Sequence, residues 1–135
     1  MQFLIYNKFS ITELKTEIKK NYDLEERTAK FGEDIIKLCL KLDRNAITTP
    51  LISQLIRSAT SIGANYMEAN GASSRKDFQN KIYICKKESQ ETKHWLRMLG
   101  VYFSNEKDKL RSLWEETQEL TLIFQKITSS LKIKN

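Results

Sequence analysis

The sequence has few of the residues that interrupt helices, with one proline and four glycines among 135 residues. A β fold needs frequent turn residues, so this scarcity favours long regular helices. Cysteine is also scarce. Cys39 and Cys85 lie far apart inside apolar stripes and form no C-x-x-C or Cys/His cluster, so we predict buried free thiols rather than a disulfide or a metal site.

Long uncharged runs are missing as well. The longest spans residues 45–56, too short and too polar to cross a bilayer, and the amino terminus lacks a signal segment. We therefore expect a cytoplasmic protein that makes no membrane contact. The length suits a single domain with its own core. The net charge of +6 is compatible with an anionic partner but does not require one.

Apolar periodicity predicts four bundle helices. Two heptad seams are clearest, Phe78, Ile82, Cys85, Ser89, Thr92, Leu96 and Leu99, then Leu110, Leu113, Thr117, Leu120, Phe124, Ile127 and Leu131. An earlier stripe comprises Leu24, Phe31, Ile35, Leu38 and Leu42, widened by Ile36, Cys39 and Leu40. Between this stripe and the two seams lies one more helix, almost uncharged, over residues 51–67. It is the second bundle helix in chain order.

Capping residues predict the helix boundaries. Thr49 with Pro50 is expected to begin the second bundle helix, and Asn70-Gly71 to end it. Ser74 and Asn105 are predicted to cap the third and fourth helices. The short loops imply an all-α, antiparallel up-down-up-down four-helix bundle over residues 23–131. Residues 1–22 form an N-terminal segment with a short helix near Ser10 to Lys20.

The helix over residues 51–67 has no clear polar face, since Arg57 is its only charge. A four-helix bundle leaves one side of each helix to solvent, so we expect the outer side of this helix to meet another subunit. The alternative is that the N-terminal segment covers it within the monomer.

Polar residues near the seams suggest a network. Arg57 needs partners among apolar neighbours, and Glu68, Glu88, Glu91 and Trp95 share suitable helix faces. We interpret them as a structural polar network in or near the core. A general acid/base pair is the alternative, although no nucleophile stands nearby in a recognisable setting.

The E-x-x-H sequence ending at His94 does not indicate a di-iron site. Such a site needs this motif on two helices, and the chain has one histidine. The sequence also lacks a glycine-rich phosphate loop, zinc-ligand spacing and a nucleophile elbow. We predict no metal, no cofactor and no catalytic residues.

Basic residues concentrate on the third bundle helix, with Asp77, Glu88 and Glu91 as its acidic residues over residues 75–97. With Glu88 and Glu91 facing inward, its outer side could follow a phosphate backbone. A solvated face that only keeps the protein soluble is the alternative. The candidate nucleic-acid-binding residues are Arg75, Lys76, Lys86, Lys87, Lys93 and Arg97, with Lys81 in the same stripe.

Three segments carry a family resemblance: LIRSATSI (55–62), ANYMEA (64–69) and KESQETKHWL (87–96). Over residues 24–131 the chain resembles the four-helix bundle proteins associated with intervening sequences of 23S ribosomal RNA. It departs from their pattern in that Asn70 separates Glu68-Ala69 from Gly71. The matching positions are Arg57, Asn65, Glu68, Glu88, Glu91 and Trp95, which the resemblance implies to be determinants of fold and assembly.

The resemblance also implies an assembly and no established enzymatic activity. The accessory subunit of diversity-generating retroelements, a similar protein, forms a basic pentameric barrel that binds nucleic acid and a reverse transcriptase. We therefore predict a homo-oligomer, by that likeness a pentamer, that binds RNA or a ribonucleoprotein. The alternative function is a structural adaptor that recruits a protein partner without nucleic acid.

Overall fold

The computed structural model describes residues 9–132, which fold into five α-helices and no strand. Residues 1–8 of the predicted N-terminal segment lie outside the described residues. The helices are α1 (Ile11–Tyr22), α2 (Leu24–Cys39), α3 (Thr48–Asn70), α4 (Arg75–Tyr102) and α5 (Lys107–Lys132), with a 3₁₀ turn at Ser104–Glu106 before α5.

Contacts between α2, α3, α4 and α5 give the topology of the bundle. Arg57 of α3 meets Glu88 of α4, whereas Glu68, later on α3, meets Lys81, earlier on α4. Helices α4 and α5 are also antiparallel, since Lys86 contacts Gln125 and the later Lys93 contacts the earlier Gln118. Helix α2 is likewise antiparallel to α3. The predicted all-α bundle is confirmed, with helices alternating up and down.

The heptad seams form the core. All fourteen seam residues predicted for α4 and α5 are buried, including the polar members Ser89, Thr92 and Thr117. Their hydroxyl groups donate to carbonyl oxygens one turn earlier in the same helix, at 2.6 to 2.8 Å. A buried hydroxyl group with such a partner avoids the free-energy penalty of desolvation.

Helix α1 packs against the bundle. Ser10 and Glu13 form its capping box, Leu14 and Ile18 are fully buried in the core, and the helix matches the short one predicted near Ser10 to Lys20. The helix ends at Asp23, whose φ of 46° places it in the left-handed region and lets α2 begin at the next residue. Aspartate tolerates this conformation better than most residues.

Two predicted caps are wrong. Helix α3 begins at Thr48 rather than after Thr49, because Asn45 organises the preceding turn and its Oδ1 accepts from the backbone N–H groups of Ile47 and Thr48. Asn105 lies inside the 3₁₀ turn and caps no helix, so that turn leads directly into α5. The predicted end of α3 at Asn70 and the Ser74 cap of α4 are both observed.

Candidate nucleic-acid interface

The predicted polar network is partly assembled, between α3 and α4. The Arg57 guanidinium donates from Nη1 to Glu88 Oε1 at 3.2 Å, from Nε to Gln54 Oε1 at 2.9 Å, and from Nη2 to Glu91. Trp95 Nε1 donates to Glu91 Oε2 at 3.1 Å. The Arg57 side chain keeps 44% of its surface exposed, so these groups form a network at the rim of the bundle and not in its core.

Asn65 and Glu68 lie outside this network. Glu68 pairs with Lys81 at 2.7 Å, and Asn65 donates to the Ser61 carbonyl oxygen at 2.8 Å. Glu68 shares a helix side with Arg57, but eleven residues separate them by about 16 Å along the axis, too far for direct contact. The structure therefore brings Arg57, Glu88, Glu91 and Trp95 together and places Asn65 and Glu68 apart from them.

The electrostatics of this cluster favour structure over acid/base chemistry. The hydrogen bond from Trp95, and then the Arg57 guanidinium, lower the pKa of Glu91 below its ordinary value. The pKa of Arg57 is raised, chiefly by its hydrogen bond to Glu91. A carboxylic acid that donates protons near neutral pH needs the opposite shift. Glu91 is instead held as an ionised partner of arginine.

The candidate basic residues occupy different positions along α4. Lys86 and Lys93 donate to Gln125 and Gln118, so both lie on the side that faces α5. Arg97 joins them one turn beyond Lys93, and Lys87 is exposed beside Lys86. Lys76 is exposed near the start of the helix.

Two members of the wider basic stripe are engaged elsewhere. Arg75 donates from Nη1 to the Phe9 carbonyl oxygen at 2.7 Å, which fastens the chain before α1 to the start of α4. Lys81 is paired with Glu68. The basic residues grouped from the sequence therefore do not form one continuous surface, and Arg75 lies far from Arg97 along α4.

Helix α5 contributes three residues that the sequence reading missed. Lys107, Arg111 and Trp114 line a groove with Arg97, at the end of α4 and the start of α5. Of the carboxylates on α5, Glu116 and Glu119 bind Arg27 of α2, whereas Glu115 lines the groove. The helical spacing of positions 107, 111, 114 and 118 was the available signal, because it places them on one side.

We name this surface the α4–α5 face and define it by six cations and one aromatic residue. Where α4 cations contact α5 across it, the acceptors are the neutral amides Gln118 and Gln125. Among the described residues, Arg97, Lys107 and Arg111 form no ion pair. These three cations therefore have no direct ion-pair partner, while Lys87 lies close enough to Glu91 to help lower the pKa of that carboxylate, and Glu115 lines the groove. The residues of the face are Lys86, Lys87, Lys93, Arg97, Lys107, Arg111 and Trp114.

The opposite side of the bundle exposes several apolar side chains, with Glu25, Glu26 and Glu33 lining the same surface. Met67 of α3, Ile36 of α2 and Leu40, which directly follows α2, expose 53, 43 and 80% of their surfaces. Ile36 lines two adjoining grooves, one with Ala64 and Met67 and one with Leu40 and Ile56. We call Ile36, Leu40, Ile56, Ala64 and Met67 the α2–α3 face. It includes the outer side of α3, which the sequence analysis expects to meet another subunit.

No group of three or more His, Cys, Asp or Glu side chains between residues 9 and 132 could hold a metal ion. In the same part of the chain, no helix is long and apolar enough to cross a membrane.

A family model decides the relationship of this bundle to known proteins. The model described as 23S rRNA-intervening sequence protein matches residues 20–126, which include all of α2, α3 and α4 and most of α5. The chain belongs to the 23S rRNA-intervening sequence protein family. The resemblance seen in the sequence is thereby confirmed, and α1 lies mostly before the matched region.

A solved structure supports membership of the 23S rRNA-intervening sequence proteins. The chain is similar to a protein of unknown function from the S23 ribosomal protein family of Bacteroides thetaiotaomicron, with a TM-score of 0.68 and 30% identity. The match covers 77% of this chain and 96% of that one. No curated protein matches the sequence significantly.

Proposed function

We propose that this chain is a non-enzymatic, homo-oligomeric helical bundle that binds RNA or a ribonucleoprotein through its α4–α5 face. The observation that carries the proposal is the excess of cations on that face, where Lys86 and Lys93 meet glutamines of α5 rather than carboxylates. A row of cations that lacks internal partners can contact successive phosphates. The family description names 23S rRNA, which makes RNA the first polyanion to test.

The α2–α3 face supports the oligomeric part of the proposal. Exposed apolar side chains that adjoin one another mark a surface suited to another protein. In the bundle this face lies opposite the α4–α5 face, so an assembly that buries the first leaves the second open. A pentamer, which the family resemblance implies, would present five basic faces and bind RNA multivalently. RNA is an intracellular molecule, so the proposal places the protein in the cytoplasm.

The salt dependence of RNA affinity tests the proposed function. The double substitution Lys87→Gln with Arg97→Gln should weaken RNA binding about tenfold at low salt and flatten the dependence on salt by roughly 1.4 to 1.8 in logarithmic slope, as two lost phosphate contacts predict. The matched control, Lys20→Gln with Lys37→Gln, removes equal charge from exposed positions of α1 and α2. It should leave affinity within about twofold if contacts on the face, not net charge, decide binding.

Two results would contradict the proposal. If both double variants lose affinity equally, net charge alone is responsible and the α4–α5 face has no special role. If the wild-type protein binds no RNA at low salt, the result favours the alternative function, in which the bundle is an adaptor for a protein partner. The exposed apolar α2–α3 face is the observation that favours such an adaptor.

A further inference from the structure

The α4–α5 face contains a groove of about 420 Å³. Leu96 and Leu110 are buried and form its floor, while Arg97, Lys107 and Arg111 are exposed at its edge. The remaining lining residues are Gly100, Trp114 and Glu115. The volume falls in the lower part of the range for small-ligand sites, about 300–1,000 Å³. The groove therefore suits one compact group rather than a whole helix.

Gly100 keeps the groove open on the α4 side. A Cβ atom built at this position would meet no heavy atom within 4 Å. The residue lies within a regular helix and its φ is not positive, so the backbone conformation itself does not require glycine. The missing side chain instead leaves space beside Arg97 in the groove that Trp114 also lines.

Trp114 provides an aromatic surface beside the cations. Its side chain is 38% exposed, and the ammonium group of Lys93 lies 5.5 Å from the ring centroid. That cation–π contact helps to hold the indole ring in place. Aromatic rings next to a positively charged groove are the arrangement with which proteins stack bases of single-stranded nucleic acid.

The combination of ring and charge selects among possible occupants. An apolar helix would desolvate Arg97, Lys107 and Arg111 without neutralising them. An acidic peptide would satisfy the cations but would leave the aromatic surface unused. A nucleotide satisfies both, since its phosphate meets the cations and its base has an apolar face. A base paired inside a duplex does not present that face, so the nucleotide must be unpaired.

We propose that this groove binds one unpaired nucleotide of single-stranded RNA, with the base stacked on Trp114 and the flanking phosphates contacting Arg97, Lys107 and Arg111. The inference rests on the proposed function, because it specifies which form of RNA the α4–α5 face prefers. It adds a preference for unpaired over duplex RNA that phosphate contacts alone would not give.

Fluorescence anisotropy with two RNAs tests this preference, using a 12-nucleotide single strand and a 12-base-pair duplex. Trp114→Leu should weaken single-strand binding about fivefold or more, as the loss of one stacked base predicts, and change duplex binding less than about twofold. Tyr102→Leu removes an exposed aromatic residue that is not part of the groove lining and should change neither affinity.

A second variant keeps the test decisive even if Trp114→Leu does not fold. Gly100→Leu fills the groove from the α4 side, where the space for a side chain exists and where leucine favours the helix. It should reproduce the selective loss of single-strand binding. Thermal unfolding of each variant, followed by circular dichroism, identifies any that is not folded.

The outcomes separate the two proposals. If both groove variants bind single-stranded RNA as tightly as the wild type, the inference is overturned while the proposed function stands. If a base-free polyanion such as heparin quenches Trp114 fluorescence in a Trp95→Phe background as strongly as single-stranded RNA does, the groove recognises charge alone and the inference also fails. If the wild type binds neither RNA, the proposed function itself is wrong.

Discussion

Trp95 and Glu91, one turn apart on α4, share a hydrogen bond of 3.1 Å from the indole Nε1 to the carboxylate Oε2. The same carboxylate oxygen accepts from Arg57 of α3. Trp95 thus holds the Glu91 carboxylate in the position where it accepts a hydrogen bond from Arg57, the only cation of α3. The ionisation of Glu91 therefore couples the solution pH to the contact between α3 and α4.

The first prediction concerns Glu91→Gln and the pH dependence of stability. The folded-state pKa of Glu91 is lowered, so its ionisation stabilises the fold above the unfolded-state value, and this contribution is lost as the pH falls through the folded-state pKa. The substitution should cost about 0.5–1 kcal/mol at pH 7, a modest value for a partly exposed group. At pH 3 the cost should shrink.

Urea unfolding of both proteins at pH 7 and pH 3 measures this difference. Glu17→Gln is the control, because Glu17 forms no ion pair with a described residue. Equal costs of Glu91→Gln at the two pH values would show that the charge of Glu91 does not contribute to stability.

The second prediction compares two glycines where α2 meets α3. A Cβ at Gly32 would lie 3.8 Å from the Thr60 methyl group, an ordinary contact, so Gly32→Ala should stabilise the helix by about 0.5–1 kcal/mol. A Cβ at Gly63 would lie 3.3 Å from Thr28 Oγ1, which a 2.7 Å bond to the Leu24 carbonyl oxygen holds in place. At Gly63 the close contact with Thr28 should outweigh the higher helix propensity of alanine, so Gly63→Ala should destabilise the protein.

Thermal and urea unfolding of the two alanine variants distinguish close helix approach from simple helix propensity. Each serves as the control for the other, because both replace a helical glycine in the same interface. Equal stabilisation by the two substitutions would mean that Thr28 moves aside freely.

The seams were predictable because they depend on one helix at a time. The heptad repeat indicates which side of α4 is buried, and every seam residue from Phe78 to Leu99 is buried as predicted. Pairing across helices depends on register, which no local pattern specifies. Glu68 was assigned to Arg57 by helix side alone, whereas the antiparallel register of α3 and α4 brings it to Lys81.

The candidate site shows the same limit. The cations of α4 were visible in the sequence, but their grouping with Lys107, Arg111 and Trp114 depends on which side of α5 faces α4. Two carboxylates of α5, Glu116 and Glu119, lie on another side of the helix and bind Arg27. The Arg27 partners lie 89 and 92 residues away along the chain.

The third prediction concerns Arg27, which joins α2 to α5. Its Nε and Nη2 donate to the two oxygens of Glu116 at 2.7 and 2.9 Å, and Nη2 also donates to Glu119 at 2.7 Å. These bonds raise the pKa of Arg27, so it stays charged. Lysine cannot reproduce the planar two-pronged contact. Arg27→Lys should cost about 1–2 kcal/mol because charge-assisted bonds are lost.

Urea unfolding gives the cost, and hydrogen exchange should show faster exchange in α2 and α5. Lys30→Arg is the matched control, since Lys30 forms an exposed pair with Asp34 within α2. It should change stability by less than about 0.5 kcal/mol. An Arg27→Lys protein as stable as the wild type would rule out a role for this junction in holding the bundle together.

The fourth prediction concerns the thiols. Cys39 and Cys85 are buried and free, and burial raises the pKa of Cys39 to about 11 and of Cys85 to about 12. The thiolate is the reactive form, so both should label slowly at pH 8 in the native protein and quickly in guanidinium chloride. Mass spectrometry after maleimide treatment counts the modified sites. Rapid native labelling would contradict the packing around them.

The last prediction tests whether the α2–α3 face joins subunits. A carboxylate placed at the centre of an apolar interface must lose its hydration, so Met67→Glu should dissociate the proposed oligomer. Light scattering of the wild type should give a mass near five chains, and the variant should give a smaller one. Leu122→Glu, at a residue 49% exposed on α5, matches the 53% exposure of Met67 and should leave the mass unchanged. A monomeric wild type would exclude the assembly, because an apolar face that stays uncovered at high protein concentration cannot be a stable self-interface.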